Sequence, residues 1–334
     1  MESKIKYGVT LYSYQDEYFR RDMTVRDCIE AVADMGATGI EILPDEMIPN
    51  WMNVSDEWLD NWFGWLDEFG CEPVAIDAFC DEKGLWKKIG RPYCLEDGLK
   101  VQRAYVDIAA KLGCKFVKTM INDMDLLREM IPYAEDKNVK LAIEIHAPGH
   151  VKDEKVTNWL DMIEKTGSKY LGFVPDFGIY EQQPTPIIMR QNYRDGCSQE
   201  IAEEAMEKKK LGWTHAQCAE YFKAKGANPG DMAGVWRVFN VSPDDPEDLK
   251  IVLPYIFGMH GKFWNMTDEM LEESVDYYNP MRVLIEGGYD GYIFSEYEGG
   301  RHMQDIGEVR GVEQTRRHHL MMRNMAKRIC EELG

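Results

Sequence analysis

The sequence predicts an α/β protein of the (β/α)8 type, a TIM barrel of eight parallel strands with a long helical insertion after the sixth. Three observations carry that expectation. Short β-rich runs alternate with longer helical patterns over most of the 334 residues, the mark of successive βαβ units. The length agrees: a prior of about 150 residues per domain suggests two domains, yet α/β barrels alone run to about 250, so one barrel plus an insertion suffices. Finally, no internal repeat, low-complexity tract or Pro/Ser linker divides the chain, and residues 1–334 read as a single barrel domain.

Eight runs read as strands: Tyr7–Tyr14, Gly39–Pro44, Pro73–Phe79, Lys115–Ile121, Lys140–His146, Tyr170–Phe177, Phe257–Phe263 and Tyr292–Tyr297. After the first, Val25, Cys28, Ile29 and Val32 recur at helical spacing and Gly36 supplies a left-handed stop, so one helix face packs on the sheet. The next helix follows Ser55 and aligns Trp58, Trp62 and Trp65 on a stripe, which reads as core contact rather than an aromatic binding surface. A third, Leu95 to Leu112, repeats the pattern with Val101, Tyr105, Ile108 and Leu112, and Gly113 leads into the fourth strand. Residues 181–245 break the rhythm, since a βα connection typically takes about 2–6 residues. Within them Thr214 and Gln217 form a capping-box pattern before Cys218–Ala224, and Gly226 ends that helix. Because βα loops stand on the catalytic rim of a barrel, this insertion reads as a lid or a partner-binding element, with a plain surface excursion as the alternative. A further helix starts at Asp245-Pro246, and the last, Val312 to Leu333, closes the ring.

Composition excludes some functions. With 59 acidic against 39 basic residues the net charge is −20, which repels phosphate backbones and anionic lipid surfaces, so nucleic-acid and membrane partners are disfavoured. Met1 to Tyr7 has no apolar signal core, and no stretch approaches the roughly 20 apolar residues that span a bilayer, so a cytoplasmic location is expected. The cysteines (Cys28, Cys71, Cys80, Cys94, Cys114, Cys197, Cys218 and Cys330) stand singly with no CxxC spacing. Free buried thiols are expected, rather than disulfides or a zinc knuckle.

In a parallel barrel, side chains alternate between the interior and the helix layer, and catalytic groups collect at the strands' C-terminal ends. In the fifth strand Leu141, Ile143 and Ile145 suit the helix side, leaving Ala142, Glu144 and His146 inward. The inward phase of the sixth ends in Asp176, that of the seventh in His260 and Lys262, and the eighth carries Phe294, Glu296 and Glu298 together. Carboxylates clustered with an imidazole at one rim need a counter-ion. A divalent metal held by Glu144, Asp176, His260 and Glu296 supplies it. The mixed oxygen and nitrogen set without thiolate suits manganese foremost, or magnesium, cobalt or zinc, in an open site that leaves positions for two substrate oxygens. Taken singly, each residue reads as a salt bridge or a core histidine; in register on four consecutive strands they read as a site. Glu41, ending the second strand in the inward phase, is expected to meet a substrate hydroxyl. Lys118 and Lys262 read either as substrate contacts or as counter-charges for the carboxylates, and Glu298 is a further substrate contact. Arg301-His302 follows the eighth strand, as a loop that closes over the site or as an ordinary polar turn.

The order Glu, Asp, His, Glu on strands five to eight resembles the xylose-isomerase-like barrel superfamily of sugar isomerases and epimerases, over nearly the whole chain. The resemblance implies that the four residues hold one metal chelating two neighbouring sugar oxygens. In ketose 3-epimerases of that superfamily the first and last glutamates also exchange protons with the sugar, which implies such a role for Glu144 and Glu296. The DNA-repair branch, of endonuclease IV type, needs a histidine-rich trinuclear zinc site; seven histidines and a charge of −20 argue against it. Four segments point to a narrower resemblance: Tyr7-Gly8-Val9-Thr10-Leu11-Tyr12-Ser13-Tyr14, Glu144-Ile145-His146-Ala147-Pro148, Arg190-Gln191-Asn192-Tyr193-Arg194 and Met259-His260-Gly261-Lys262-Phe263. Together they resemble the α subunit of bacterial C-glycoside deglycosidases. What this implies is a lyase that cleaves the carbon–carbon bond of a 3-keto C-glycoside within a hetero-oligomer containing a small β-sandwich subunit.

On that reading the keto group acidifies the C2 proton, and the metal stabilises the resulting enediolate. His146 is the candidate base, two residues beyond Glu144 on the same face, because an imidazole suits proton transfer near neutrality; its alternative role is a hydrogen bond to a ligand carboxylate. Elimination then expels the aryl group from C1, and the aryl carbon gains a proton from Lys262, Glu298, Tyr297 or water on the metal. The rival is a metal-dependent ketose or inositol-derivative epimerase or isomerase, in which two carboxylates do the acid–base work and His146 is expendable. A catalytically silent binding scaffold is a third reading, disfavoured because such a barrel has no reason to keep a costly acidic cluster.

Overall fold

The structure, a computed structural model, describes residues 2–78, 90–91, 94–119, 124–307 and 309–334. Among the described residues eight parallel strands form one sheet: β1 (Lys6–Thr10), β2 (Gly39–Ile42), β3 (Glu72–Ala78), β4 (Phe116–Thr119), β5 (Lys140–Ile145), β6 (Leu171–Pro175), β7 (Gly258–Phe263) and β8 (Tyr292–Tyr297). Their spatial order is β6-β5-β4-β3-β2-β1-β8-β7. The sheet curls until β6 meets β7 through isolated parallel bridges, Phe173 with Ile256 and Asp176 with His260. This is the (β/α)8 barrel that the alternation of elements predicts.

Two strands end sooner than their β-propensity suggests, because tertiary hydrogen bonds override it. The first run bends after Thr10 into a 3-10 turn, Leu11–Tyr14. The turn lets the Ser13 hydroxyl donate to the Ser295 carbonyl at 3.0 Å and accept from the Tyr297 N–H at 2.9 Å, tying the first connection to β8. Likewise β6 stops at Pro175, and Asp176 caps the turn Phe177–Tyr180 by accepting from the Gly178 N–H at 2.7 Å. The predicted ends of the third and fourth runs, at Phe79 and Ile121, lie outside the described residues, as does Cys80.

Helix starts follow local capping chemistry. Thr24 and Asp27 form a capping box before Val25–Asp34, whose Val25, Cys28, Ile29 and Val32 are all buried. Ser55 accepts from the Trp58 N–H to open Asp56–Phe69. Trp62 there is fully buried and donates its indole N–H to the Leu112 carbonyl at 3.1 Å, with Trp58 and Trp65 half-buried beside it. The tryptophan stripe is therefore core, and truncating Trp62 to alanine costs about 3–5 kcal/mol by the usual cavity penalty. Leu95–Leu112 buries Tyr105, Ile108 and Leu112 as predicted.

The strand phases divide the apolar residues into two layers. Leu141, Ile143 and Ile145 join the main core against the helices, whereas Ala75, Phe116, Ala142, Val174 and Phe294 form a separate cluster inside the barrel. Ala142, Val174 and Phe294 each stand two residues before Glu144, Asp176 and Glu296, so this apolar cluster is the floor beneath the polar mouth.

Residues 181–245 hold four helices, Pro186–Arg194, Gln199–Lys210, His215–Ala224 and Pro229–Asn240. They carry small apolar clusters of their own, one of Ala205, Cys218, Phe222, Val235 and Val238 and another of Met189, Cys197 and Ala202. The capping box of Thr214 with Gln217 is present. Arg237 pairs with the buried Glu181 within this segment, while Arg194 pairs with Asp305 at 2.8 Å and Gln191 bonds His302, so the first of these helices is fastened to the loop after β8. The helix expected at Asp245-Pro246 begins as a 3-10 turn, Pro246–Asp248, and continues as Leu249–Val252. The last helix is Gly311–Leu333. The described cysteines are free thiols and all are buried except Cys94, which departs from the expectation that every one is buried. Among the described residues no helix is long and apolar enough to cross a membrane.

Candidate active site

Strands β5, β7 and β8 deliver Glu144, His260 and Glu296 to one point, with a ligand atom from each lying within 4.8 Å of the others and all three side chains buried. The cause is strand phase, each residue standing one inward step beyond the floor. His260 Nδ1 lies 3.1 Å from Glu144 Oε1 and 3.2 Å from Glu296 Oε2. Its other nitrogen, Nε2, lies 2.8 Å from Glu41 Oε1 on β2. An ionised carboxylate only accepts, so Glu41 fixes Nε2–H as donor and turns Nδ1 toward the two glutamates. Burial alone lowers the pKa of His260, but Glu296 and then Glu41 outweigh it and raise it well above the ordinary imidazole value.

Beneath this group, Lys118 on β4 places its ammonium 2.8 Å from Asp77 Oδ1 on β3 and 3.2 Å from Glu144 Oε2. Burial pushes the Glu144 carboxyl up, yet Lys118 and then His260 overcome it and hold it well below the usual carboxylate range. Burial also opposes ionisation of Glu296, and His260 and Lys262 prevail, taking it down to about 2. Asp77 behaves otherwise: burial raises it to about 7 against the opposing pull of Lys118.

A second group surrounds Lys262. Its ammonium lies 2.6 Å from Asp176 Oδ2, 2.7 Å from His146 Nε2, 3.2 Å from Glu298 Oε1 and 3.8 Å from Glu296 Oε2. An ammonium has no acceptor, so it donates to the His146 Nε2 lone pair, and His146 carries its hydrogen on Nδ1 beside the Ala147 carbonyl. Burial favours the neutral amine of Lys262, but Asp176 and then Glu296 raise its pKa well above the ordinary value. Burial raises the Asp176 and Glu298 carboxyls, with Lys262 the main opposing influence on each.

Of the four predicted ligands, Glu144, His260 and Glu296 converge, while Asp176 stands beside them with its carboxylate on Lys262. Glu41, expected to meet a substrate hydroxyl, is fully buried and faces His260. Lys118 is also buried and takes the counter-charge role. His146 stands at the mouth with its side chain 40% exposed, directly against Lys262. Asp77 was not among the predicted site residues, although it stands one inward step beyond Ala75, the same signal that marks Glu144. Tyr277 was also missed: its hydroxyl donates to the Lys262 carbonyl at 2.6 Å and lies 2.7 Å from His318 Nε2, a clamp between distant segments that no local pattern marks.

Among the described residues, the buried atoms here that make no well-directed hydrogen bond include His260 Nδ1 and Glu296 Oε2. Lone pairs about 3 Å apart repel unless a proton or cation lies between them, and such separations are what bonds of about 2.0–2.2 Å to a divalent ion produce. The residues fit a divalent metal of the oxygen and nitrogen type.

The xylose isomerase-like TIM barrel family model matches residues 29–325. The chain is 28% identical over 328 residues to the C-glycoside deglycosidase alpha subunit of Arthrobacter globiformis, covering 96% of this chain and 92% of that protein. It is 29% identical over 317 residues to the 3'-dehydrocarminate deglycosidase alpha subunit of Microbacterium sp., covering 87% and 88% of the two. Among solved structures, a sugar phosphate isomerase/epimerase from Parabacteroides distasonis has the same fold, with a TM-score of 0.55, 13% identity, and 97% and 96% of the two chains covered.

Proposed function

We propose, from the premise that this chain belongs to the xylose isomerase-like TIM barrel family, that it is the catalytic subunit of a C-glycoside deglycosidase. It cleaves the carbon–carbon bond of a 3-keto C-glycoside by removing the C2 proton and eliminating the aryl group. Relatives named as deglycosidase alpha subunits support the substrate class and a partner subunit, which we take to be the small β-sandwich chain.

The observation that carries the reading is the contrast between His146 and the glutamates. In a two-carboxylate epimerase, Glu144 and Glu296 serve as acid and base. Here Glu144 lies 3.2 Å from the Lys118 ammonium and 3.1 Å from His260 Nδ1, and Glu296 lies 3.2 Å from His260 Nδ1 and 3.8 Å from the Lys262 ammonium. Carboxylates so engaged by cationic partners are good ligands and poor bases. His146, exposed at the mouth with its Nε2 lone pair turned to Lys262, is the base the geometry favours.

Glu144, His260 and Glu296 would hold the divalent metal, manganese foremost, joined by Asp176 if its contact with Lys262 opens, and the ion when bound polarises the keto carbonyl and a neighbouring sugar oxygen. Glu41 and Lys118 keep His260 and Glu144 aimed. His146 Nε2 takes the C2 proton once substrate parts it from Lys262. The C2–H electron pair becomes the C1–C2 double bond as the C1–aryl bond breaks, and that second pair leaves with the aryl carbon. Lys262 is the ammonium best placed to protonate this carbon, 2.7 Å from His146 Nε2. The products are a 1,2-unsaturated 3-keto sugar and a free polyphenol, and atoms and charge balance.

The test incubates the protein with manganese and a 3-keto C-glucoside, with and without the small subunit, and measures freed polyphenol by chromatography. Metal-dependent release is expected. Deuterium uptake at C2 from heavy water without polyphenol release would instead establish an epimerase or isomerase.

A further inference from the structure

A cavity of about 250 Å³ lies at the barrel mouth, between the turn after β1 and the loop after β8. Glu298 forms its inner wall: Oε1 faces the Lys262 ammonium at 3.2 Å, while Oε2 lies 3.1 Å from Arg301 Nη2, which also lines the cavity. The Glu298 carboxylate therefore links the cavity-lining Arg301 to the Lys262 ammonium. Tyr12, Phe19 and Tyr297 supply aromatic walls. The Arg301 guanidinium stands over the Tyr12 ring, 5.4 Å from its centroid. The loop can turn this tightly only on glycine, since a Cβ at Gly299 would lie 1.7 Å from the Trp264 carbonyl oxygen and one at Gly300 would lie 2.8 Å from Asp16 Oδ2.

The lining selects a chemistry. Aromatic walls take the face of a flat ring, and a guanidinium donates in a fixed fork to phenol oxygens. Phe19, 58% exposed on the rim, is a large apolar group for which a ring offers cover. An apolar cavity of about 150 Å³ accepts benzene, so this one takes one or two fused rings and leaves a sugar to the carboxylate and imidazole groups beyond Glu298. Arg301 is paired with Glu298 and Asp16 also lines the cavity, so the lining carries no net positive charge and suits neutral phenol hydroxyls rather than phenolates.

We propose that this cavity binds the phenol-bearing aryl portion of the substrate, with Arg301 on its hydroxyls and Phe19 and Tyr12 against its ring, and so sets which aglycones are accepted. The proposal rests on the deglycosidase reading for its substrate, but its test does not depend on turnover.

Free phloroglucinol and 5,7-dihydroxychromone are titrated into the metal-loaded protein by calorimetry, for the unaltered chain and for Arg301→Gln and Phe19→Ala. Both side chains are substantially exposed, so both variants keep the fold, which thermal melting checks. Binding to the unaltered chain, weakened about tenfold or more by each substitution, is expected from losing a charge-assisted hydrogen bond or a stacked ring. No binding to the unaltered chain, or affinities within twofold of it in both variants, overturns the proposal. If polyphenol binding follows Arg301 and Phe19 while no 3-keto C-glucoside is cleaved, the cavity stands and the deglycosidase reading falls.

Discussion

Replacing Glu41 with alanine should weaken divalent-metal binding by one to two orders of magnitude, although its carboxylate faces a ligand rather than the metal position. Glu41 Oε1 and His260 Nε2 are 2.8 Å apart, with both side chains fully buried. A hydrogen bond to a charged partner contributes about 1.5–3 kcal/mol. At 1.4 kcal/mol per decade this corresponds to roughly 10- to 150-fold in the dissociation constant, matching the 10- to 100-fold loss typical when a partner of a ligand histidine is removed. The structural route is specific. Without Glu41 the Nε2–H is buried with no acceptor, so the ring is free to change tautomer or turn, and Nδ1 is no longer held 3.1 and 3.2 Å from Glu144 and Glu296. Glu41→Gln keeps an acceptor oxygen without the charge and should fall between. Calorimetric titration of manganese into stripped protein measures all three. A Glu41→Ala dissociation constant within threefold of the unaltered value, or a glutamine variant weaker than the alanine one, would refute the reasoning.

Three further outcomes are expected. His146→Ala should lower carbon–carbon cleavage by about 10²- to 10⁴-fold while metal binding persists; near-normal turnover contradicts the assignment of the base. Because Glu296 and Glu41 raise the pKa of His260, the stripped protein keeps this imidazole protonated at neutral pH and the metal must displace that proton. Affinity should therefore rise with pH, with about one proton released per ion; titrations in buffers of different ionisation enthalpy measure it, and pH-independent affinity between about pH 6 and 8 contradicts it. Arg237→Met should destabilise the helices of residues 181–245 by about 3–5 kcal/mol, since it leaves the buried Glu181 carboxylate without its cation. Hydrogen exchange reads this change, and adding Glu181→Gln should recover most of it; a loss under about 0.5 kcal/mol counts against the buried pair.

Much of the site was legible because a strand has a strict period of two. With Leu141, Ile143 and Ile145 in the helix layer, Glu144 has to face inward, and the same logic brings His260 and Glu296 to it, while Asp176 faces inward but meets Lys262. Phase says which residues face inward, but not which of them meet across the barrel. That is why Glu41 was expected at a substrate hydroxyl when it faces His260, and why Lys262 could not be placed at the centre of Asp176, His146 and Glu298. Asp77 carried the same inward signal as Glu144 and was legible, but its meaning depends on Lys118, a neighbour only in three dimensions. The bend at Leu11–Tyr14 was illegible for a related reason: β-favouring residues turn there because Ser13 bonds β8, 282 residues away.

The most direct test of the account is a titration of manganese into stripped protein, followed by the spin-resonance signal of the free ion. One ion should disappear from solution per chain, and none at micromolar concentration once His260→Ala is combined with Glu296→Gln. A free-ion signal that grows from the first addition, or a stoichiometry the double substitution leaves unchanged, would contradict a metal centre built from β5 to β8.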